Sequence, residues 1–93
     1  MNNKKNIFIT GGNRGIGRGL VKLLSNDHNV YFSVRDREKG ETILTDLTNS
    51  SAKYIIMDVS SNDSVNQGIE ELKKIASSID ILINNAGILI PGL

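Results

Sequence analysis

The chain has 93 residues, 11 basic and 10 acidic side chains, a formal net charge of +1 and no cysteine. That length limits it to one small domain with a thin stability margin, and the mixed charge offers neither a nucleic-acid face nor a polybasic membrane anchor. Disulfides, thiolate chemistry and cysteine zinc sites are excluded; a reducing, cytoplasmic setting is expected.

Met1-Asn2-Asn3-Lys4-Lys5-Asn6 leads into the apolar run Ile7-Phe8-Ile9. Three apolar residues are too few for a secretory core or a membrane span, and they read as a first strand covered on both faces. Next comes Thr10-Gly11-Gly12-Asn13-Arg14-Gly15-Ile16-Gly17, a glycine-rich turn running into a helical pattern. Strand, glycine turn and helix start make an anion site, because the first helical N–H groups lack partners and glycine lets a phosphate approach the backbone. A phosphate-bearing nucleotide is the expected ligand. The spacing is neither the usual G-x-G-x-x-G fingerprint nor a P-loop, and a glycine-rich connection without a ligand is the alternative.

In the first helix Ile16, Leu20, Leu23 and Leu24 recur at helical spacing and are expected to form its buried stripe. Gly19 inside it points to close packing or simple tolerance. Asn26-Asp27-His28-Asn29 breaks the pattern, and His28, without catalytic neighbours, reads as a surface residue. Val30-Tyr31-Phe32-Ser33-Val34 is a second strand with Arg35-Asp36-Arg37-Glu38-Lys39-Gly40 as its polar exit, and Ile43, Leu44 and Leu47 mark a short second helix ending in Thr48-Asn49-Ser50-Ser51.

Tyr54-Ile55-Ile56-Met57 is a third strand, followed by Asp58-Val59-Ser60 with Ser61 as the expected helix cap. Val65, Ile69, Leu72, Ile75 and Ala76 share one face of a third helix, and Glu70, Glu71, Lys73 and Lys74 the solvated side. Ile79-Asp80-Ile81-Leu82-Ile83 is a fourth strand, left by Asn84-Asn85-Ala86-Gly87. The order βαβαβαβ predicts an α/β fold, a Rossmann-like doubly wound parallel sheet reaching its fourth strand. Tyr31 and Tyr54 read as packing residues.

With these residues in view, the chain resembles the N-terminal half of the short-chain dehydrogenase/reductase family. Thr10-Gly11-x-x-x-Gly15-x-Gly17 fits that family's cofactor turn, and Asn84-Asn85-Ala86-Gly87 fits the motif after its fourth strand, with Asp58-Val59 between. The turn and Val34-Arg35-Asp36 look most like the NADPH-dependent carbonyl reductase or ketoreductase branch. The resemblance implies that Gly11, Asn13, Gly15, Ile16 and Gly17 line the pyrophosphate and adjacent ribose, that Asp58 hydrogen-bonds the adenine amino group and Val59 covers the ring, and that Asn85, Ala86 and Gly87 follow the nicotinamide-side ribose. Thr10 is expected to tie the turn to the fourth strand and Asn84 to hold the sheet. A loop or cap carboxylate is the other reading of Asp58.

At the end of the second strand an NAD enzyme usually presents an acid to the ribose, and that acid would repel a 2′-phosphate. Val34 stands there, Arg35 follows, and Arg14 in the turn could reach the same phosphate from the other side. NADP(H) is therefore favoured over NAD(H). Asp36 is the complication, since a shift of two residues would make it the ribose acid, and Arg35 and Arg37 could instead be a solvated loop paired with Asp36 and Glu38.

The family's catalytic serine and Tyr-x-x-x-Lys motif have no counterpart in this sequence, so residues 1–93 are expected to be the N-terminal part of one dinucleotide-binding domain without its catalytic half, and no residue is nominated as catalytic. Three readings follow: an inactive portion of an NADP-dependent oxidoreductase, a nucleotide-binding or interaction module, or a product that binds nothing. The nucleotide is the expected partner, together with strand-edge or complementing-chain association through the exposed apolar fourth strand; nucleic acid and membrane are not.

Overall fold

In the computed structural model the described residues are 4–12, 15–47 and 52–86. Four strands, β1 (Asn6–Ile9), β2 (Asn29–Val34), β3 (Lys53–Ile56) and β4 (Ile81–Ile83), alternate with three helices, α1 (Gly15–Leu24), α2 (Arg37–Thr45) and α3 (Asn62–Ile75). All strand pairs are parallel and the sheet order is β3-β2-β1-β4. After β1 the chain builds outward to β3, then crosses back to the far side of β1. A ligand crevice is expected where that reversal leaves the strand ends uncovered.

Alternation along the strands divides the core in two. Ile7, Ile9, Val30, Phe32 and Val34 pack with Val21 of α1 and Ile43 of α2. Phe8, Tyr31 and Ile55 face the other way, onto Val65, Ile69 and Leu72 of α3, joined by Met57 just beyond β3. Phe8 and Phe32 are fully buried, and each contributes about 1.5–3 kcal/mol relative to an exposed side chain. Helices on both faces of a parallel sheet make this the doubly wound Rossmann-like architecture.

The caps explain two helix starts. The Asp36 carboxylate accepts from the Lys39 N–H at 3.1 Å, and the Ser61 hydroxyl, as expected, accepts from the Ser64 N–H at 3.2 Å. Each occupies one of the donors a helix start leaves without an intrahelical partner. Because Asp36 caps, α2 begins at Arg37, within the stretch expected to be a polar exit loop. It ends at Thr45, before Leu47, and residues 48–51 lie outside the described residues. β4 is also shorter than expected, starting at Ile81.

Three apolar residues leave the stripes assigned to them. Ile16 is 76% exposed, Leu23 66% and Ile75 39%. The buried residues of α1 are Gly17 and Val21, with Leu20 and Leu24 partly covered. The helix approaches the neighbouring loops along the side where Gly17 has no side chain, which turns Ile16 and Leu23 outward. Gly19 has open space around it, so it is tolerated and not a packing contact. Tyr31 is 8% exposed and its hydroxyl donates to the Ile75 carbonyl at 3.4 Å, while Tyr54 stacks at a tilt on Phe32. Among the described residues no helix is long and apolar enough to cross a membrane.

Candidate functional site

The glycine turn leaves β1 under firm control. Thr10 donates its N–H to the Ile83 carbonyl at 3.0 Å and its hydroxyl to Asn84 Oδ1 at 3.1 Å, and the hydroxyl accepts from the Ala86 N–H at 3.0 Å. Asn85 Nδ2 donates to the Gly11 carbonyl at 3.0 Å. On the other side the Gly11 N–H donates to Ser33 Oγ at 2.9 Å and the Gly12 N–H to the Ser33 carbonyl at 3.0 Å. The turn is thus tied to the exits of both β4 and β2. Gly11 has φ +67°, a conformation glycine adopts without steric cost.

Gly17 serves close approach. A Cβ there would fall 2.5 Å from the Gly11 carbonyl oxygen and 2.6 Å from Asn85 Nδ2. Its absence lets α1 start directly against the turn.

These constraints open a cleft of about 590 Å³ at the strand ends, lined by Gly11, Gly15, Ile16, Ser33, Val34, Arg35, Lys39, Met57, Val59, Asn85 and Ala86. Seven of the residues singled out in the sequence therefore meet on one surface: Gly11, Gly15, Ile16, Arg35, Val59, Asn85 and Ala86. Gly17 lies beneath that surface as a packing residue. Asn13, Arg14 and Gly87 lie outside the described residues.

Asp58 is not among the lining residues. Its Oδ1 accepts from Ser60 Oγ at 2.6 Å and from the Ser60 N–H at 3.0 Å, while its own N–H donates to Ser64 Oγ at 2.8 Å. The Ser60 hydroxyl first, then the Ser60 N–H, hold the Asp58 carboxyl below the usual carboxylate range, with a smaller contribution from the Arg35 charge. Asp58 thus stays ionised and secures the loop between β3 and α3.

Ser33, Lys39 and Met57 line the cleft without having been singled out as site residues. Lys39 had a readable signal, since a cap at Asp36 brings the first turn of α2 back toward Arg35. Ser33 had none, because its part depends on the pairing of β2 with a turn 22 residues earlier.

The cleft fits a nucleotide chemically. A Cβ at Gly15 would meet nothing within 4 Å, so this glycine stands on the open side, and the basic residues Arg35 and Lys39 are also part of the lining.

The family model described as short chain dehydrogenase matches residues 5–93. A 3-oxoacyl-[acyl-carrier-protein] reductase from Chlamydia pneumoniae is 38% identical over 87 residues, 90% of this chain and 35% of that protein. Among solved structures, the RhlG/NADP active-site complex of Pseudomonas aeruginosa is 29% identical with a TM-score of 0.78, over 87% of this chain and 34% of that one. The 3-ketoacyl-(acyl-carrier-protein) reductase of Brucella melitensis, complexed with NADH, is 25% identical with a TM-score of 0.72, over 84% of this chain and 32% of that one. The chain spans about a third of the length of these relatives. Matched by the family model over nearly all its length, the chain belongs to the short-chain dehydrogenase family.

Proposed function

We propose that this chain forms the adenosine-phosphate half of an oxidoreductase site that takes NADP(H) in preference to NAD(H). The observation that carries this reading is the division of labour at the β2 exit. Arg35 and Lys39 line the cleft, Val34 fills the place of a ribose-binding acid, and the carboxylate of Asp36, next to Arg35 in sequence, caps α2. A 2′-phosphate would meet two cations there and no acid among the lining residues; a guanidinium offers paired donors to phosphate and an ammonium a point charge.

The remaining assignments follow the cleft. Gly11, Gly15 and Ile16 hold the pyrophosphate at the start of α1, with Asn13 of the same turn, and Arg14 is assigned with Arg35 to the 2′-phosphate. Met57 and Val59 give the adenine an apolar wall, and Asp58 accepts from its amino group through the oxygen that Ser60 leaves unused. Asn85, Ala86 and Gly87 lie toward the nicotinamide ribose, and Gly17 supports the turn from below.

Bound NADPH supplies the hydride in a carbonyl-to-alcohol reduction of the ketoreductase type. This chain's residues bind and orient the cofactor; among the described residues none is placed to move a proton to the developing alkoxide. Carbonyl reduction accordingly requires the serine and Tyr-x-x-x-Lys found elsewhere in the family, and the chain alone is inactive. A cytoplasmic location belongs to this reading, supported by the lack of cysteine. A second reading, a non-catalytic binding module engaging a complementing chain through β4, is favoured by the exposure of Ile81 and Leu82 on that edge.

Thermal unfolding with NADPH, NADH or 2′-phospho-AMP tests the proposal, since ligand at about a hundred times its Kd adds about 2.7 kcal/mol of stability. NADPH and 2′-phospho-AMP are expected to raise the midpoint, with the effect lost in an Arg35→Ala, Lys39→Ala double variant. An equal rise with NADH overturns the NADP(H) preference. No rise with any ligand overturns the nucleotide reading.

A further inference from the structure

Ser33 is 1% exposed, yet it forms part of the cleft wall between the glycine turn and Arg35. Its Oγ accepts the Gly11 N–H at 2.9 Å, and its carbonyl accepts the Gly12 N–H at 3.0 Å. A serine hydroxyl carries one donor hydrogen besides its acceptor sites. Among the described residues that hydrogen has no acceptor. A buried hydroxyl whose acceptor side is satisfied and whose donor side is not, in the wall of a cleft, calls for an oxygen from outside the chain.

From this we infer that Ser33 is a direct ligand contact: its Oγ accepts from the Gly11 N–H and donates its hydrogen to an oxygen on the 2′,3′ edge of the adenosine ribose. The inference rests on the nucleotide reading above and deepens it. With pyrophosphate at the turn and a 2′-phosphate at Arg35 and Lys39, the ribose lies between them, beside Ser33. The same hydroxyl then couples two ends of the site. It fixes the Gly11 peptide, and it reads whether the ribose carries oxygens at its far edge.

The test pairs Ser33→Ala with two ligands, ADP and 2′,3′-dideoxy-ADP, using calorimetry on the full chain. For a lost donor to a ribose oxygen, Ser33→Ala weakens ADP about 3- to 10-fold and leaves dideoxy-ADP within about twofold of wild type. Equal weakening of both ligands makes Ser33 a support of the turn alone and overturns the contact. So does unchanged affinity for both. If wild type binds neither ligand, the nucleotide reading falls and this assignment with it; binding of ADP by wild type with a wrong Ser33→Ala pattern leaves the cleft intact and removes only Ser33. Should Ser33→Ala fail to fold, Ser33→Cys, similar in shape but a weak donor, carries the same comparison and is expected to discriminate between the ligands in the same direction.

Discussion

The aromatic ring of Tyr54 lies on Gly40, so close that a Cβ added there would sit 2.6 Å from Tyr54 Cδ1 and Cγ. The Tyr54 hydroxyl donates to Glu41 Oε2 at 2.7 Å, which pins the ring against α2. Helix α2 therefore rests on the edge strand β3 through a glycine, although glycine is the weaker helix former. Gly40→Ala is expected to destabilise the chain by about 1–3 kcal/mol through overpacking, after a gain of about 1 kcal/mol in helix propensity. Urea unfolding measures the net loss, and Gly40→Ala combined with Tyr54→Leu should recover part of it.

Two glycines in α1 should respond in opposite directions. Gly17→Ala drives a methyl into the Gly11 carbonyl and Asn85 Nδ2 and breaks the bond between them, costing about 1–3 kcal/mol and weakening nucleotide binding. Gly19→Ala meets nothing within 4 Å and should add up to about 1 kcal/mol. Unfolding midpoints of the two variants, measured side by side, check the contrast.

Asp58 makes a pH prediction of definite sign. Its carboxyl is held below the ordinary aspartate value of 3.8, first by the Ser60 hydroxyl and then by the Ser60 N–H. A depressed folded-state pKa means that the unfolded chain binds the proton more readily. The contribution is present above the unfolded value and is lost as pH falls through the folded one. Carboxyl NMR titration should place Asp58 below 3.8, and Ser60→Ala should move it upward while the backbone donor keeps part of the shift.

The β4 edge predicts association. Ile81 and Leu82 are 43% and 41% exposed on a strand paired only with β1 among the described residues. Such an edge templates pairing with another chain, and a lysine blunts it. Leu82→Lys is expected to lower light scattering at matched protein concentration, with little change in the unfolding midpoint.

Much of this was legible in the chain itself. The glycine turn, the four strands and the Ser61 cap have local signals: a run of apolar residues, a spacing, a side chain that outcompetes water for a free N–H. Ile16, Leu23 and Ile75 misled because periodicity identifies an apolar face without telling which side of the helix can come closest to its neighbours. In α1 that side was chosen by Gly17, a residue with no hydropathy to register. Asp36 was ambiguous for a related reason. An acid near a strand end can serve ribose or helix, and the start of α2 at Arg37 puts it in the capping position.

Residues that act across the fold were the least visible. Ser33 reads as one more strand residue until β2 is placed beside the turn, and the signal of Lys39 counts only once Asp36 is recognised as the cap of α2. Asp58 was marked by resemblance, yet the bonds to Ser60 and Ser64 follow from the shape of the β3 exit.

The knot of contacts joining Thr10 and Gly11 to Asn84, Asn85 and Ala86 closes over separations of 74 to 76 residues. Contacts of that span are slow to form, because the intervening chain must be ordered first. During synthesis the turn is made almost at once, but it cannot acquire its shape until the stretch after β4 has left the ribosome. The segment that first announces a nucleotide in the sequence is thus finished only after the fourth strand has been made.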